Sequence, residues 1–354
     1  MTARQAPGAP ADVETSAIRK ITWRFLPIII GAYFIAYIDR VNIGMVKHEM
    51  APDIGMSDIQ FGLASGLIFI GLIFFEVPSN KLALKWTPRV WIPRIMVTWG
   101  IVVILNAFIQ HTSQLYALRI ALGLAEAGMA PAVFLYLAQW FPGRHRAKAL
   151  SAFYLSLPLA MAVGSPLTGW ILEFSHNWFG MAGWRWVFII QGAAAIVVAL
   201  PVFLLLAKKP GEASWLSDAE RTWLKAELDA EDRAKAQHAP PTFWRSIIDS
   251  RVLVLGVVYL LLGYGVNALV YWLPSIVDAA TPGMSSLQLG VVSALPFIVA
   301  AIGIYAVGVA AHRTQARLWN MLVPALIGVA GFAGAAMFMD SPTPALIMIA
   351  VSLA

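Results

Sequence analysis

Five ionisable side chains interrupt apolar stretches of this 354-residue sequence: Asp39, Arg40, Glu76, Arg119 and Glu126. A charge near the centre of a bilayer costs roughly 2.5–3.5 kcal/mol on insertion scales, so each must face protein or a water-filled cavity. Asp39 and Arg40 stand side by side in ITWRFLPIIIGAYFIAYIDRVNIGMV, the run from Ile21 to Val46. In a helix, Tyr33, Tyr37 and Arg40 at i, i+4 and i+7 share one face, and Asp39 points about 100° away from it. The expectation is a cavity face of two hydroxyls and a guanidinium, with the carboxylate turned to a neighbouring helix. In LRIALGLAEAGMAP, Arg119 and Glu126 lie at i and i+7, again on one face. If the two faces meet, Asp39, Arg40, Arg119 and Glu126 form a compact network of balanced charge, which makes such residues tolerable in lipid. An ion pair that only fixes helix packing is the alternative.

A carboxylate in such a network is poised to take and release a proton, because desolvation and a nearby arginine act on it in opposite senses. Asp39 and Glu126 are therefore the candidate proton carriers. Arg40, a planar fork suited to a carboxylate, is the candidate ligand for an anionic substrate. Glu76, close to a span end and followed by Pro78, is expected to pair with loop arginines. Further along, GYGVNALVYWLP places Tyr264, Asn267 and Tyr271 at i, i+3 and i+7, an uncharged polar face able to hydrogen-bond a hydroxylated or aromatic acid; ordinary aromatic packing is the competing reading. The candidate binding set is thus Arg40, Tyr33, Tyr37, Arg119, Tyr264, Asn267 and Tyr271. All six histidines fall in loops or at span ends, and no H-E-x-x-H, P-loop or G-x-S-x-G pattern occurs. No catalytic set, metal site or cofactor is expected, and the absence of cysteine excludes thiolate ligation.

The elements that must hold these residues are membrane helices. The chain is 59% hydrophobic and 12% charged with a mean hydropathy of +0.72, too apolar for a solvated domain. Windows of about 20 residues predict spans near 24–46, 60–80, 92–110, 115–140, 148–173, 185–206, 252–273, 288–310 and 318–339, with a tenth beginning at Thr343. Of the 25 Lys and Arg residues, only Lys47 and Arg185 fall on the outer side of this layout and only Arg40 and Arg119 within spans. The positive-inside rule then puts the N-terminus in the cytoplasm of a multi-pass inner or plasma membrane protein. The basic balance, +6 with a pI near 9.6, is topological, and no nucleic-acid partner is expected.

Residues 1–20 read as a disordered cytosolic tail, 21–206 as a six-helix bundle, 207–251 as a cytosolic linker and 252–354 as an incomplete second bundle. In the linker, Ser217 and Glu220 have capping-box spacing, and Leu216, Trp223, Leu224 and Leu228 predict a short amphipathic helix.

Several segments together resemble the major facilitator superfamily, and within it the anion:cation symporter family of phthalate, tartrate and sugar-acid permeases. They are AYIDRVNIG, FFEVPSNKLALKWTPRVWIPRIMVTWG, YALRIALGLAEAGMAPAVFLYLAQWFP, GSPLTGWILE, GWRWVFIIQG, KKPGEASWLSDAER and YWLPSIV, and they cover nearly the whole chain. The resemblance implies an all-α, two-bundle transporter fold of twelve helices, working as a monomer by alternating access and moving a small organic anion together with protons. It implies that Asp39 and Glu126 are the protonated carboxylates, Arg40 the ligand of the substrate carboxylate and Arg119 the partner of the acids. On that template the chain is truncated within the tenth helix, with about two and a half spans absent. A transporter-like carboxylate sensor without net flux is the alternative function.

Overall fold

The computed structural model describes residues 11–236, 248–314, 317–338 and 342–353. Among them are nine helical stretches long and apolar enough to cross a membrane, and no strand. The first six crossings are made by α1 (Ala11–Asp53), α2 (Asp58–Trp86), α3 (Pro88–Asn106), α4 and α5 together (Thr112–Glu126 and Met129–Trp140), α6 (Gly143–Phe174) and α7 (Gly183–Leu205). Helix α8 (Asp218–Ala236) lies in the linker. Then come α9 (Ser250–Ala280), α10 (Ser286–Thr314), α11 (Arg317–Met337) and α12 (Pro342–Leu353). In the first bundle α1 packs on α6 and α7, α3 on α7 and α2 on α4, while α10, α11 and α12 pack together in the second.

Local signals set several of these ends. Ser57 and Gln60 form a capping box at the start of α2, each side chain bonded to the other's backbone. The same device starts α8: the Ser217 amide donates to Glu220 at 2.8 Å and the Glu220 amide to the Ser217 hydroxyl at 3.3 Å.

The expectation of a disordered tail over 1–20 needs correction, because α1 already begins at Ala11. Groups of α8 and of the start of α6 hold its first turns in place. Glu220 accepts from the Ser16 hydroxyl at 2.7 Å and from Lys20 Nζ at 2.8 Å, while Glu14 binds His145 at 2.7 Å and Arg144 at 3.0 Å. A polar, Pro- and Gly-rich composition says nothing of such long-range partners. Residues 1–10 lie outside the described residues. The described part of the linker is likewise docked: Trp215 stacks on Trp140 at 5.8 Å between ring centroids, and Arg24 covers the Trp215 ring.

The two bundles meet at one end. Glu173, at the close of α6, accepts from the Ser285 hydroxyl at 2.6 Å and from the Leu287 amide at 3.0 Å, capping the start of α10 from the opposite bundle. Lys47 reaches Ser275 at 3.4 Å and His48 reaches Asp278 at 3.2 Å. Close approach depends on glycine here, since a Cβ on Gly290 would fall 2.4 Å from the Ser165 carbonyl and one on Gly169 2.2 Å from that of Ser286. Towards the α8 end the halves part: α10 is buried at Ser293, Phe297 and Ala300 but exposed at Ile302, Ile304 and Tyr305, and α9 is exposed from Val252 to Leu262. A cleft therefore opens between the bundles on the side of α8.

Candidate functional site

Arg40 and Glu126 meet at the floor of this cleft. The guanidinium donates to Glu126 Oε1 from Nη2 at 2.7 Å and from Nε at 3.1 Å. Its side chain keeps 20% of its surface exposed and that of Glu126 10%, so the pair is enclosed by protein yet reachable from the cleft. Arg40 also lies 5.1 Å from the centre of the Tyr37 ring, and Tyr37 packs on Tyr33 at 4.9 Å. The face expected from the i, i+4, i+7 spacing is present, with Tyr33 buried against Phe153 and the half-buried Tyr37 beside the arginine.

Asp39 is turned away, as its 100° offset requires, into the interior of the first bundle. Its carboxylate accepts from Asn42 Nδ2 at 2.6 Å and from Trp99 Nε1 at 3.2 Å. Asn42 donates in turn to Gln191 Oε1 at 2.8 Å, and Gln191 donates to the Thr168 hydroxyl at 2.9 Å. This chain of buried polar groups ties α1 to α3, α7 and α6. The sequence reading did not single out Asn42, Trp99, Gln191 and Thr168. Uncharged polar residues inside apolar runs were the available signal, and attention to ionised groups alone passes over it.

The four expected residues lie in one region but pair unevenly: Arg40 binds Glu126 directly, Asp39 is held by hydrogen bonds, and Arg119 makes no ion pair within 4.0 Å among the described residues, although its charge and that of Glu126 both act on Asp39. Arg119 is 3% exposed, and among the described residues no carboxylate lies within 4.0 Å of it. Its Nε donates to the Ala64 carbonyl at 3.3 Å, while Nη2 is buried without a partner. Its guanidinium stands 5.9 Å from the centre of the Tyr271 ring, which α9 brings across from the other bundle. Tyr271 is 4% exposed, and its hydroxyl also has no partner.

The other two members of the expected polar face do not reach the site. Tyr264 is 77% exposed, and Asn267 donates to the Gly263 carbonyl of its own helix at 2.8 Å. Helix α9 touches α1 around Tyr271 and then diverges, so residues one and two turns back leave the seam. Glu76 is half-buried and forms no ion pair within 4.0 Å among the described residues, contrary to the expected pairing with loop arginines.

A break in the fourth crossing fixes Glu126. Gly128 is left-handed at φ +85, which separates α4 from α5 directly after the glutamate. The Ala127 carbonyl freed by the break accepts from the Ser79 hydroxyl at 2.7 Å, and Ser79 accepts from Trp91 Nε1 at 2.9 Å. Any Cβ at Gly128 would fall 2.2 Å from the Ser79 oxygen.

Two helical bundles joined by a docked linker, with an arginine–glutamate pair at the base of the cleft between them, define a multi-pass membrane transporter rather than an enzyme. The chain matches the Major Facilitator Superfamily over residues 29–354 and belongs to it. A candidate tartrate transporter of Agrobacterium vitis is 41% identical over 325 residues, which span 91% of this chain and 74% of that protein. A quinolone resistance transporter of Acinetobacter baumannii is 38% identical over 312 residues, 88% of this chain and 71% of its own length. Among solved structures, the xylose transporter XylE from E. coli in a partially occluded inward-open conformation superposes with a TM-score of 0.71, at 13% identity, covering 94% of this chain and 83% of that one.

Proposed function

We propose that the protein is a proton-coupled symporter of a small organic carboxylate, with its N-terminus and α8 in the cytoplasm. The observation that carries this reading is the Arg40–Glu126 pair, held by two hydrogen bonds onto a single carboxylate oxygen and reachable from the cleft. An incoming carboxylate presents the same geometry as Glu126 and can take its place on the guanidinium. Glu126, displaced into an enclosed site, is then neutralised by a proton, since an unpaired buried carboxylate is too costly to retain. Substrate and proton are thereby held together, and release of the substrate returns Arg40 to Glu126 and frees the proton. Asp39, in its own set of hydrogen bonds one residue from Arg40, is the second candidate proton carrier. The tartrate named for one relative supports the carboxylate class.

The test is uptake of radiolabelled tartrate and succinate into proteoliposomes with an imposed pH gradient. Uptake is expected to rise with acid on the side from which substrate enters and to vanish in Arg40→Gln. Uptake that ignores both the gradient and the variant rules the mechanism out, and saturable binding without any flux favours a sensor.

A further inference from the structure

We propose that Glu76 is a proton relay, taking the proton from Glu126 and passing it to the cleft as Arg40 returns to Glu126. The inference rests on the proton-coupled reading above and goes beyond it by assigning the way out of an enclosed carboxyl. Helical register places the two acids together. Helices α2 and α4 run parallel with almost no space between them: a Cβ on Gly71 would fall 2.3 Å from the Ile120 carbonyl, and one on Gly123 2.0 Å from that of Ile68. Further along the same seam the Ser79 hydroxyl donates to the Ala127 carbonyl at 2.7 Å. Glu76 lies three residues before Ser79 and Glu126 one before Ala127. At 1.5 Å per residue they stand about 4.5 and 1.5 Å above that bond, within about 3 Å of each other in height. Leu72, Glu76, Ser79 and Asn80, at i, i+4, i+7 and i+8, form one strip of α2, and Leu72 and Ser79 within it abut α4. The exposed Ile73, Phe74 and Val77 take the other side of the helix.

Glu76 belongs to the site electrically without sharing its hydrogen bonds. The charges that act on it are those of Glu126 from α4 and Arg40 from α1, yet both bonds from Arg40 go to Glu126. Among the described residues Glu76 forms no ion pair within 4.0 Å. One guanidinium therefore stands beside two carboxylates and compensates one of them, and a proton is what removes the surplus charge. The two acids also differ in access, because Glu126 is buried and Glu76 is half-buried. When substrate leaves, Arg40 draws Glu126 back in its ionised form. The proton on Glu126 then moves to a carboxylate oxygen of Glu76, directly or through one water, and from there to water in the cleft. Glu126 ends ionised on Arg40, Glu76 recovers its charge, and one proton has been released.

Two transport modes of the full chain in proteoliposomes separate this role from a structural one. Exchange of radiolabelled for unlabelled tartrate at equal pH cycles the loaded protein and needs no proton release, whereas net uptake driven by a pH gradient does. In Glu76→Gln, exchange should stay within about twofold of the parent. Proton transfer by a positioned side chain contributes about 10²–10⁴-fold, so net uptake in that variant should fall at least tenfold. Glu76→Asp keeps an acid at the position and should recover about a third or more of the net uptake, which holds the test open should the glutamine variant fold poorly. Exchange and net uptake falling in step in both variants overturns the relay and leaves Glu76 a packing residue. Net uptake untouched by glutamine also overturns it, with Glu126 releasing its proton unaided. In either case the proton-coupled reading stands. Exchange without any response to the gradient in the unaltered protein defeats that reading and the relay with it.

Discussion

Replacing Glu126 with glutamine keeps the side chain's shape and removes its charge, and the expected consequence for ligand binding is a gain. In the free protein Arg40 is already occupied by two hydrogen bonds at 2.7 and 3.1 Å, so a substrate carboxylate binds only by displacing Glu126. A hydrogen bond to a charged group contributes about 1.5–3 kcal/mol net. Both bonds converge on one oxygen, and Arg40 keeps 20% of its side chain in contact with the cleft, so the pair is placed at about 1.5–3 kcal/mol in total rather than at twice that. At 1.4 kcal/mol per decade, Glu126→Gln should bind a carboxylate about 10- to 100-fold more tightly at neutral pH. It should also lose accumulation driven by a pH gradient, because the group proposed to take the proton is gone. Titration calorimetry in detergent and uptake in proteoliposomes read the two effects separately. Unchanged or weaker binding in the variant would mean that Glu126 does not compete with the ligand for Arg40, and the exchange mechanism would fall.

Four further outcomes follow from named contacts. Glu173→Gln weakens the cap that joins α6 to α10, and a spin-label pair at Ile59→Cys and Pro282→Cys, introduced into a chain with no native cysteine, should report a longer distance than in the parent; an unchanged distance would show that Glu173 does not hold that end closed. Ser79→Ala removes the groups that hold the break after Glu126 and should lower thermal stability by about 1–2 kcal/mol; a variant as stable as the parent would show that the break needs no such support. Burial acts to raise the Glu220 carboxyl, but bonds from Lys20, the Ser217 amide and Ser16 outweigh it and bring it down to about 2. A lowered carboxyl contributes stability that is complete above its unfolded value of about 4.3 and lost only as pH falls through the folded value. Hydrogen exchange of residues 11–20, corrected for intrinsic rates, should therefore be as slow at pH 5.5 as at pH 7.5 and fast at both in Glu220→Ala. Trp99→Phe deletes one donor to Asp39 and, with cross-helix hydrogen bonds in membranes averaging about 0.6 kcal/mol, should cost roughly that much in an unfolding titration.

The crossings were legible because a bilayer demands long apolar runs, and the linker helix because Ser217 and Glu220 carry the spacing of a reciprocal cap. The cleft was legible in part. Arg40 and Glu126 sit on faces that helical periodicity defines, and a buried charge must find its opposite, so a meeting of Arg40 with some carboxylate was to be expected. Which carboxylate Arg40 chooses was not, since Asp39 is adjacent in the chain and is excluded only by pointing the other way into Asn42 and Trp99. Periodicity also placed Tyr264 with Tyr271, but a face is not a contact: where α9 departs from α1 is set by packing between bundles, and seven residues, about 10.5 Å, is enough to leave the seam. The helical start of α1 was hidden for a similar reason, because its stabilising partner, Glu220, is 204 residues away from Ser16.

The placement of the closing contacts explains how chemistry in the cleft can move the bundles. Arg40, Gly44, Lys47 and His48 recur at i, i+4, i+7 and i+8 and run along one face of α1, while Tyr271, Ser275 and Asp278 run along one face of α9. The two faces meet in register: a Cβ on Gly44 would fall 2.8 Å from the Tyr271 carbonyl, Lys47 bonds Ser275, and His48 pairs with Asp278. The helix that presents Arg40 is thus also the helix that holds the far end shut, and Tyr271 lies on the opposing strip of the same seam. On the proposed reading, a carboxylate bound at Arg40 adds attraction at the cleft end of this seam, just beyond the contact at Tyr271, without adding any at the end already closed. Because an equilibrium shifts only by a ligand's difference in affinity between two states, that asymmetry is what favours closing the open side. Substitutions at Lys47 or His48, which touch no ligand, should accordingly alter the balance between the two open states while leaving the preference among carboxylates as it was.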